Sequence, residues 1–95
     1  MPRRLEESEI TFFLGQLKEW SREGLHIRKQ YTFGTFTEAM SLVNRVAAMA
    51  DKLDHHPDLL IQHEYVTLTL TTNSVGGLTE LDFTLARMID GGAPS

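Results

Sequence analysis

The segment from Thr35 to Pro57 constrains the fold of this chain more than any other. Thr35 and Glu38 have the spacing of a helical capping box, and apolar residues recur behind them on one helical stripe. The members of that stripe are Phe36, Ala39, Met40, Val43, Val46, Ala47, Ala50 and Leu53. The stripe stops at His55-His56-Pro57, where the proline cannot continue a helix. The pattern therefore predicts a long amphipathic helix that packs one face on a core and ends at a His-His-Pro junction.

The segments on both sides of this helix alternate with the period of β-strands. Before it, residues 25–33 carry apolar side chains on one face, which predicts a strand paired with a short strand near Trp20. After it, residues 59–62 predict a short strand, and residues 66–72 alternate strictly with many β-branched residues. In this last strand the predicted core positions are Val66, Leu68 and Leu70. The predicted outer positions are Thr67, Thr69, Thr71 and Asn73.

Shorter helices are predicted near the two ends of the chain. Residues 8–17 have helical spacing behind acidic residues, and Gly76-Gly77 predicts a turn before a cap at Thr79–Asp82. The last helix is expected to bury Phe83, Ala86 and Ile89. This order predicts one domain over residues 1–95, a two-layer α+β fold with helices on one face of a four-stranded antiparallel sheet. Its exposed sheet edges predict self-association to a dimer or tetramer.

The composition excludes several classes of protein. With 41% apolar and 23% charged residues, the chain has the composition of an ordinary globular domain. No apolar run approaches the length of a membrane helix, so we expect no membrane partner and no secretory signal. The net charge of −4 with scattered basic residues argues against direct nucleic-acid binding. The absence of cysteine excludes disulfides and fits a cytoplasmic protein.

The adjacent residues His55 and His56 are the first candidates for chemistry. Local physics leaves three interpretations open. Cationic histidines at a helix C-terminus complement the helix dipole, which would make the pair structural. Histidines also serve in acid–base catalysis near neutral pH. A metal site is the third interpretation, but neighbouring side chains diverge and no second ligand pair exists, so we expect neither a metal nor any other cofactor.

A wider arrangement of residues surrounds the histidine pair. Asp51 precedes His55-His56-Pro57 by three intervening residues, and Gly-Gly-Leu-Thr-Glu-Leu-Asp ends later at Asp82. Together these residues resemble the pterin-4a-carbinolamine dehydratases, and the resemblance covers roughly residues 5–90. The segment before the junction is also similar, with Trp20, Arg28, Phe33, Phe36 and Ala39.

Two positions depart from the pattern of that family. The family places an aromatic residue after the proline with five or six residues between them, where this chain has His63 or Glu64. After nine more residues the family places His or Trp, and this chain has Asn73 by the count from His63 or Ser74 by the count from Glu64. Asparagine forms hydrogen bonds but transfers no proton. His63 is therefore a candidate to replace the missing acid–base group.

The resemblance implies a reaction and a set of site residues. The family removes water from a pterin that carries a hydroxyl group on its bridgehead carbon. The implied catalytic residues are His55, His56 and Asp51, with the histidines in acid–base roles. The residues implied to bind the pterin are Asp54, Pro57, Asn73 and Asp82. Asp54 would help Asp51 to orient the imidazoles or the pterin ring, whereas Asp82 could equally be a carboxylate that stabilises the first turn of its helix.

Two functions from different classes follow from the resemblance. The first is a catalytically active dehydratase, which includes one with a low rate. The intact Asp51 and His55-His56-Pro57 favour this function. The second is a catalytically silent relative that binds or assembles another protein, and Asn73 and His63 favour it. Relatives of this kind are associated with RuBisCO assembly and with dimerisation of a homeodomain transcription factor. We favour the dehydratase.

Overall fold

The computed structural model describes residues 2–91, and it contains the predicted order of elements. The elements are helix α1 (Glu7–Leu14), strands β1 (Ser21–Glu23) and β2 (His26–Thr32), helix α2 (Phe36–Leu53), strands β3 (Asp58–Gln62) and β4 (Tyr65–Leu70), a short 3-10 helix (Asn73–Val75) and helix α3 (Glu80–Asp90). Helix α1 ends three residues before the predicted Leu17, because Gly15 follows its last turn and glycine is a poor helix former.

The four strands form one antiparallel sheet in the order β1-β2-β4-β3. This confirms the predicted α+β fold and the pairing of the strand near Trp20 with its neighbour. Strand β4 lies between β2 and β3, with Ile27 opposite Leu70 and Asp58 opposite Thr69. Because β3 and β4 are antiparallel, the junction that precedes β3 and the segment that follows β4 lie at the same end of the sheet.

The core lies between the inner face of the sheet and helices α2 and α3. Its largest fully buried apolar side chains are Phe83, Ile27, Leu68, Leu70, Leu78, Leu85, Val46 and Val66. The predicted stripe of α2 is wrong at two positions, since Phe36 and Ala47 are exposed. The buried stripe instead runs through Ala39, Leu42, Val46, Met49 and Ala50. Within residues 2–91 no helix has both the length and the apolar character needed to cross a membrane.

The end of β4 differs from the prediction, and the difference affects the site. The strand stops at Leu70, and Thr72 forms an isolated bridge with Gly77. Between them the chain turns through the 3-10 helix and through Gly76, whose φ of 66° is readily adopted by glycine. Asn73 therefore begins a turn and does not lie on the outer face of the sheet. The prediction that Asn73 lies on the outer face was wrong, because the bridge between Thr72 and Gly77 ends the extended segment one residue before Asn73.

Candidate active site

The His-His-Pro junction is shaped by the way α2 ends. The helix ends at Leu53, and Asp54 adopts the left-handed conformation with φ 51° and ψ 44°. The backbone N–H of His55 then donates to the carbonyl of Ala50 at 3.0 Å, which closes the helix C-terminus. After this turn the two histidines have opposite environments: His55 is buried and His56 is exposed. The structure therefore separates two residues that the sequence presented as an equivalent pair.

His55 forms a buried pair with Asp82. Its Nε2 lies 2.6 Å from Oδ1 of Asp82, and the two side chains are 9% and 0% exposed. The two residues are 27 positions apart in sequence, and the fold joins them because α3 begins beside the end of α2. A carboxylate in such a place needs hydrogen-bond donors to offset its lost hydration. The pair thus fixes the orientation of the His55 imidazole.

The second oxygen of Asp82 is held by two threonines. Oδ2 accepts hydrogen bonds from the hydroxyl of Thr72 at 2.8 Å and from the backbone N–H of Thr79 at 2.9 Å. The bond from Thr79 is part of the predicted capping box, so Asp82 both caps α3 and binds His55. Sequence reasoning did not identify Thr72 and Thr79 as site residues. The capping box was the available signal, because it placed a carboxylate at a helix start close to the core.

His56 forms a second, solvent-exposed pair with Asp51. Its Nε2 lies 2.9 Å from Oδ1 of Asp51, with side-chain exposures of 58% and 77%. A polar contact this exposed contributes little to stability, since water competes for both side chains. Its imidazole is therefore accessible to a ligand, while the neighbouring carboxylate can orient the ring. The structure brings Asp51 to His56 and not to His55.

The remaining predicted residues border this cluster. Asp54 is exposed at the helix end, and Pro57 is half-buried directly before β3. Asn73 is exposed and follows Thr72, whose hydroxyl contacts Asp82. Among the side-chain hydrogen bonds of residues 2–91, none involves Asp54 or Asn73. Their assignment as substrate-binding residues stays a prediction.

His63 lies away from the cluster. It occupies the turn between β3 and β4 with a φ of 53°, at the opposite end of this hairpin from Pro57. The five residues of β3 rise about 3.3 Å each, which separates the two ends by roughly 16 Å. The suggestion that His63 replaces a missing acid–base group was therefore wrong. Although His63 is close to Pro57 in sequence, strand β3 lies between them and carries His63 to the far end of the hairpin.

The described part of the chain holds no group of three or more histidine and acidic side chains arranged to bind a metal ion. The pairs at His55 and His56 each offer two potential ligands, and they face different environments. The imidazoles and carboxylates of this site can form hydrogen bonds, and the imidazoles can transfer protons.

Solved structures share this fold. A crystal structure described as a transcriptional coactivator/pterin dehydratase from Brucella melitensis superimposes with a TM-score of 0.91 at 35% identity, covering 96% of this chain and 99% of that chain. A pterin dehydratase-like protein identified as a RuBisCO assembly factor in the alpha-carboxysome matches with a TM-score of 0.64 over 80% of this chain and 88% of its own. At 22% identity the second likeness shows the fold alone. The likeness to the Brucella melitensis structure places this chain in the class of pterin dehydratase-like domains.

The sequence comparisons define the family. The family model of pterin 4 alpha carbinolamine dehydratase matches residues 3–91. A protein of Roseiflexus sp. RS-1, provisionally named a pterin-4-alpha-carbinolamine dehydratase, is 46% identical over 95% of this chain and 97% of its own length. A protein of Sulfolobus acidocaldarius with the same provisional name is 41% identical over 92% of this chain and 96% of its own. The chain belongs to the pterin-4-alpha-carbinolamine dehydratase family, which confirms the resemblance noted in the sequence.

Proposed function

We propose that the protein is a hydro-lyase that converts 4a-hydroxytetrahydropterin to quinonoid dihydropterin. Family membership supports a dehydratase, and one observation in this chain carries the proposal further. Two adjacent imidazoles each contact a separate carboxylate through Nε2, one pair buried and one exposed. This arrangement supplies one oriented and one accessible acid–base group at a single helix end, as a dehydration requires.

The reaction needs one proton removed and one proton delivered. A base takes the proton from the ring nitrogen beside the bridgehead carbon C4a. The electron pair of that N–H bond then forms the carbon–nitrogen double bond, and the C4a–oxygen bond breaks. An acid protonates the departing oxygen, which leaves as water. Imidazole suits both roles because it exchanges protons near neutral pH.

The exposure of each histidine suggests its role. His56 is accessible, so it is the residue we assign to direct contact with the pterin, with Asp51 orienting its ring. His55 is held by Asp82 and acts as the second acid–base group at the inner side of the site. Asp82 was predicted to bind substrate, but its complete burial favours action through His55. Asp54, Pro57 and Asn73 surround the pair and are assigned to the rim of the pterin site.

Asn73 lowers the expected rate of this enzyme. The family places a titratable or aromatic residue where this chain has an amide, which orients a ligand but transfers no proton. His63 is at the far end of the hairpin and does not compensate. Loss of one acid–base group typically lowers a rate by about 10²–10⁴. We therefore propose a working but slow dehydratase.

The proposal is tested by following the decay of the carbinolamine with wild type, His56→Ala and Lys52→Ala. Wild type should exceed the rate in buffer, and His56→Ala should fall by about 10²-fold or to the buffer rate. Lys52 is an exposed residue at the same end of α2 and should be dispensable. A wild-type rate equal to that of buffer contradicts the proposal. Equal losses in both variants would contradict the role of His56.

A catalytically silent assembly factor is the second candidate, and Asn73 is the observation that favours it. The fold shared with a RuBisCO assembly factor is compatible with this role, although a likeness at that level of identity concerns the fold alone. Co-expression with RuBisCO subunits distinguishes the two candidates. A higher yield of assembled RuBisCO, with no dehydration above buffer, would favour the second.

We also propose that the protein self-associates through β3. This strand is an edge of the sheet, and its Leu59 and Leu60 are 37% and 54% exposed. An apolar edge strand can pair with the same strand of a second copy, which extends the sheet and covers these side chains. The cytoplasmic location inferred from the absence of cysteine stays a prediction.

A further inference from the structure

We propose that Asn73 is a site of covalent modification, at which spontaneous deamidation converts the side-chain amide to a carboxylate. The chain has two asparagines, Asn44 and Asn73, and both are exposed. They differ in the backbone that surrounds them, and this difference controls their reactivity. The modification itself does not depend on the proposed dehydration, whereas its effect on turnover rests on it.

The reaction joins the side chain of Asn73 to the backbone of the next residue. The backbone nitrogen of Ser74 loses its proton and bonds to Cγ of Asn73, while the bond between Cγ and the side-chain nitrogen breaks. The side-chain nitrogen leaves as ammonia, and a succinimide ring remains. Water then adds to a carbonyl carbon of the ring, and the ring opens at a carbon–nitrogen bond to give aspartate or isoaspartate. Water is the co-reactant that balances the step.

The two reacting groups are free of competing contacts. Asn73 and Ser74 are both exposed. Among the hydrogen bonds of residues 2–91, none uses the backbone N–H of Ser74 or the side chain of Asn73. The side chain of Ser74 is also small, so it leaves the approach to its backbone nitrogen open. The attack therefore requires no hydrogen bond of either reacting group to break first.

The turn that carries Asn73 is held by few hydrogen bonds. It is a 3-10 helix of three residues, closed by bonds from the Val75 N–H to the Thr72 carbonyl at 3.2 Å and from the Gly76 N–H to the Asn73 carbonyl at 3.1 Å. Hydrogen-bond geometry in such helices is poor. Ring closure requires the peptide plane between Asn73 and the next residue to rotate out of the helical conformation. A short exposed segment of this kind opens at a small cost in free energy.

Asn44 is the matched control within the same chain. It is exposed, but it lies in the interior of α2, which has 18 residues. The backbone N–H that follows it belongs to Arg45, and inside an α-helix this group donates to the carbonyl of the preceding turn. Attack at Asn44 therefore requires a turn of the helix to open first, and the free energy of that opening lowers the rate.

The product changes the charge beside the histidine cluster. Asn73 directly follows Thr72, whose hydroxyl donates to the buried carboxylate of Asp82, and Asp82 contacts His55. The neutral amide of asparagine transfers no proton, whereas a carboxylate can accept one from a ligand. Deamidation thus supplies an ionisable group at a position where the chain is made with an amide.

The test follows the gain in mass at each asparagine by peptide mass spectrometry. Wild type is held at mildly alkaline pH, once folded and once unfolded in urea, and samples are digested at intervals. The rate in urea reports the effect of the following residue alone, so the ratio of the two rates reports the effect of the fold. Folding should slow Asn44 by at least about tenfold and Asn73 by less than about threefold. Equal slowing of the two residues, or an unmodified Asn73 in the folded protein, overturns the inference.

Two variants locate the reaction, and a third measures its consequence. Asn73→Gln keeps an amide on a longer side chain, and Ser74→Val crowds the attacking nitrogen with a β-branched residue. Both should lower the rate at this position at least about tenfold. Asn73→Asp should raise carbinolamine decay about tenfold over fresh wild type, since it adds a proton acceptor. Equal decay in these two proteins overturns the effect on turnover. Wild-type decay equal to buffer would instead contradict the proposed dehydration, and the mass measurement would still decide the modification.

Discussion

Asp82→Ala should be among the most destabilising single substitutions in this protein. The change removes the acceptor for three donors, which are His55 Nε2 at 2.6 Å, the Thr72 hydroxyl at 2.8 Å and the Thr79 N–H at 2.9 Å. A buried donor that is left without a partner typically costs about 1–3 kcal/mol, so the loss of the acceptor for all three donors should cost at least about 3 kcal/mol. A domain of this size is stable by only about 5–15 kcal/mol. The midpoint of thermal unfolding should therefore fall by at least about 12 °C, since each kcal/mol lowers it by about 4–8 °C in a domain of this size.

Urea unfolding followed by circular dichroism measures this loss in the free energy of unfolding. Glu80→Ala is the matched control, because Glu80 lies in the first turn of the same helix but is exposed. It should change stability by no more than about 0.5 kcal/mol. A loss below about 1 kcal/mol in Asp82→Ala, equal to that of the control, would refute the buried network around His55.

Three further predictions concern other parts of the fold. Light scattering at micromolar concentration should give at least twice 10.8 kDa for wild type, and Leu60→Lys should lower the mass because it charges the exposed edge strand. The hydrogen bond and charge of Arg3 lower the pKa of Glu9 to about 2, from an unfolded value near 4.5. The stabilisation that ionised Glu9 provides is present above about pH 4.5 and is lost as the pH falls towards about 2. In Glu9→Gln the free energy of unfolding should therefore fall less steeply with pH in that range. Asp90→Ala should lower the free energy of unfolding by about 1–3 kcal/mol, because the buried indole N–H of Trp20 donates to Asp90 at 2.7 Å.

Two of these predictions have a matched control variant, and the third is compared with wild type. Leu25→Lys charges a similarly exposed leucine outside β3, so loss of mass in both leucine variants would contradict the β3 interface. An acid-unfolding curve for Glu9→Gln that overlays wild type would exclude the pKa effect. Glu23→Ala removes only an exposed ion pair with Arg28 and should cost at most about 1 kcal/mol. A smaller loss for Asp90→Ala than for this control would contradict the role of the Trp20 hydrogen bond.

Much of the fold could be predicted because its signals are local. The Thr35 cap and Pro57 bracket α2, and the strict alternation after Tyr65 predicts β4. The ends of helices and strands were less predictable where a contact between distant residues determines them. The end of β4 depends on the bridge between Thr72 and Gly77, which a pattern of alternating residues does not encode.

The grouping of the candidate residues was predictable, but their pairing was not. The sequence predicts that Asp51 lies with the His-His-Pro junction, and the structure brings Asp51 to His56. The pairing of His55 with Asp82 was not predicted, since it joins residues 27 positions apart and depends on how α3 packs beside α2. The same limit explains the error at His63, because only the strand register shows which end of the hairpin it occupies.

The most direct test of the central claim is stopped-flow measurement of carbinolamine decay with wild type, Asn73→His and Ser74→His. Wild type should exceed the rate in buffer, because His55 and His56 retain their carboxylate partners. Asn73→His should raise the rate at least about tenfold, since it adds an acid–base group beside the cluster. Ser74→His places the same side chain one exposed residue further along the 3-10 helix and should leave the rate unchanged. Decay curves for all three proteins that coincide with buffer would contradict the assignment of this protein as a dehydratase.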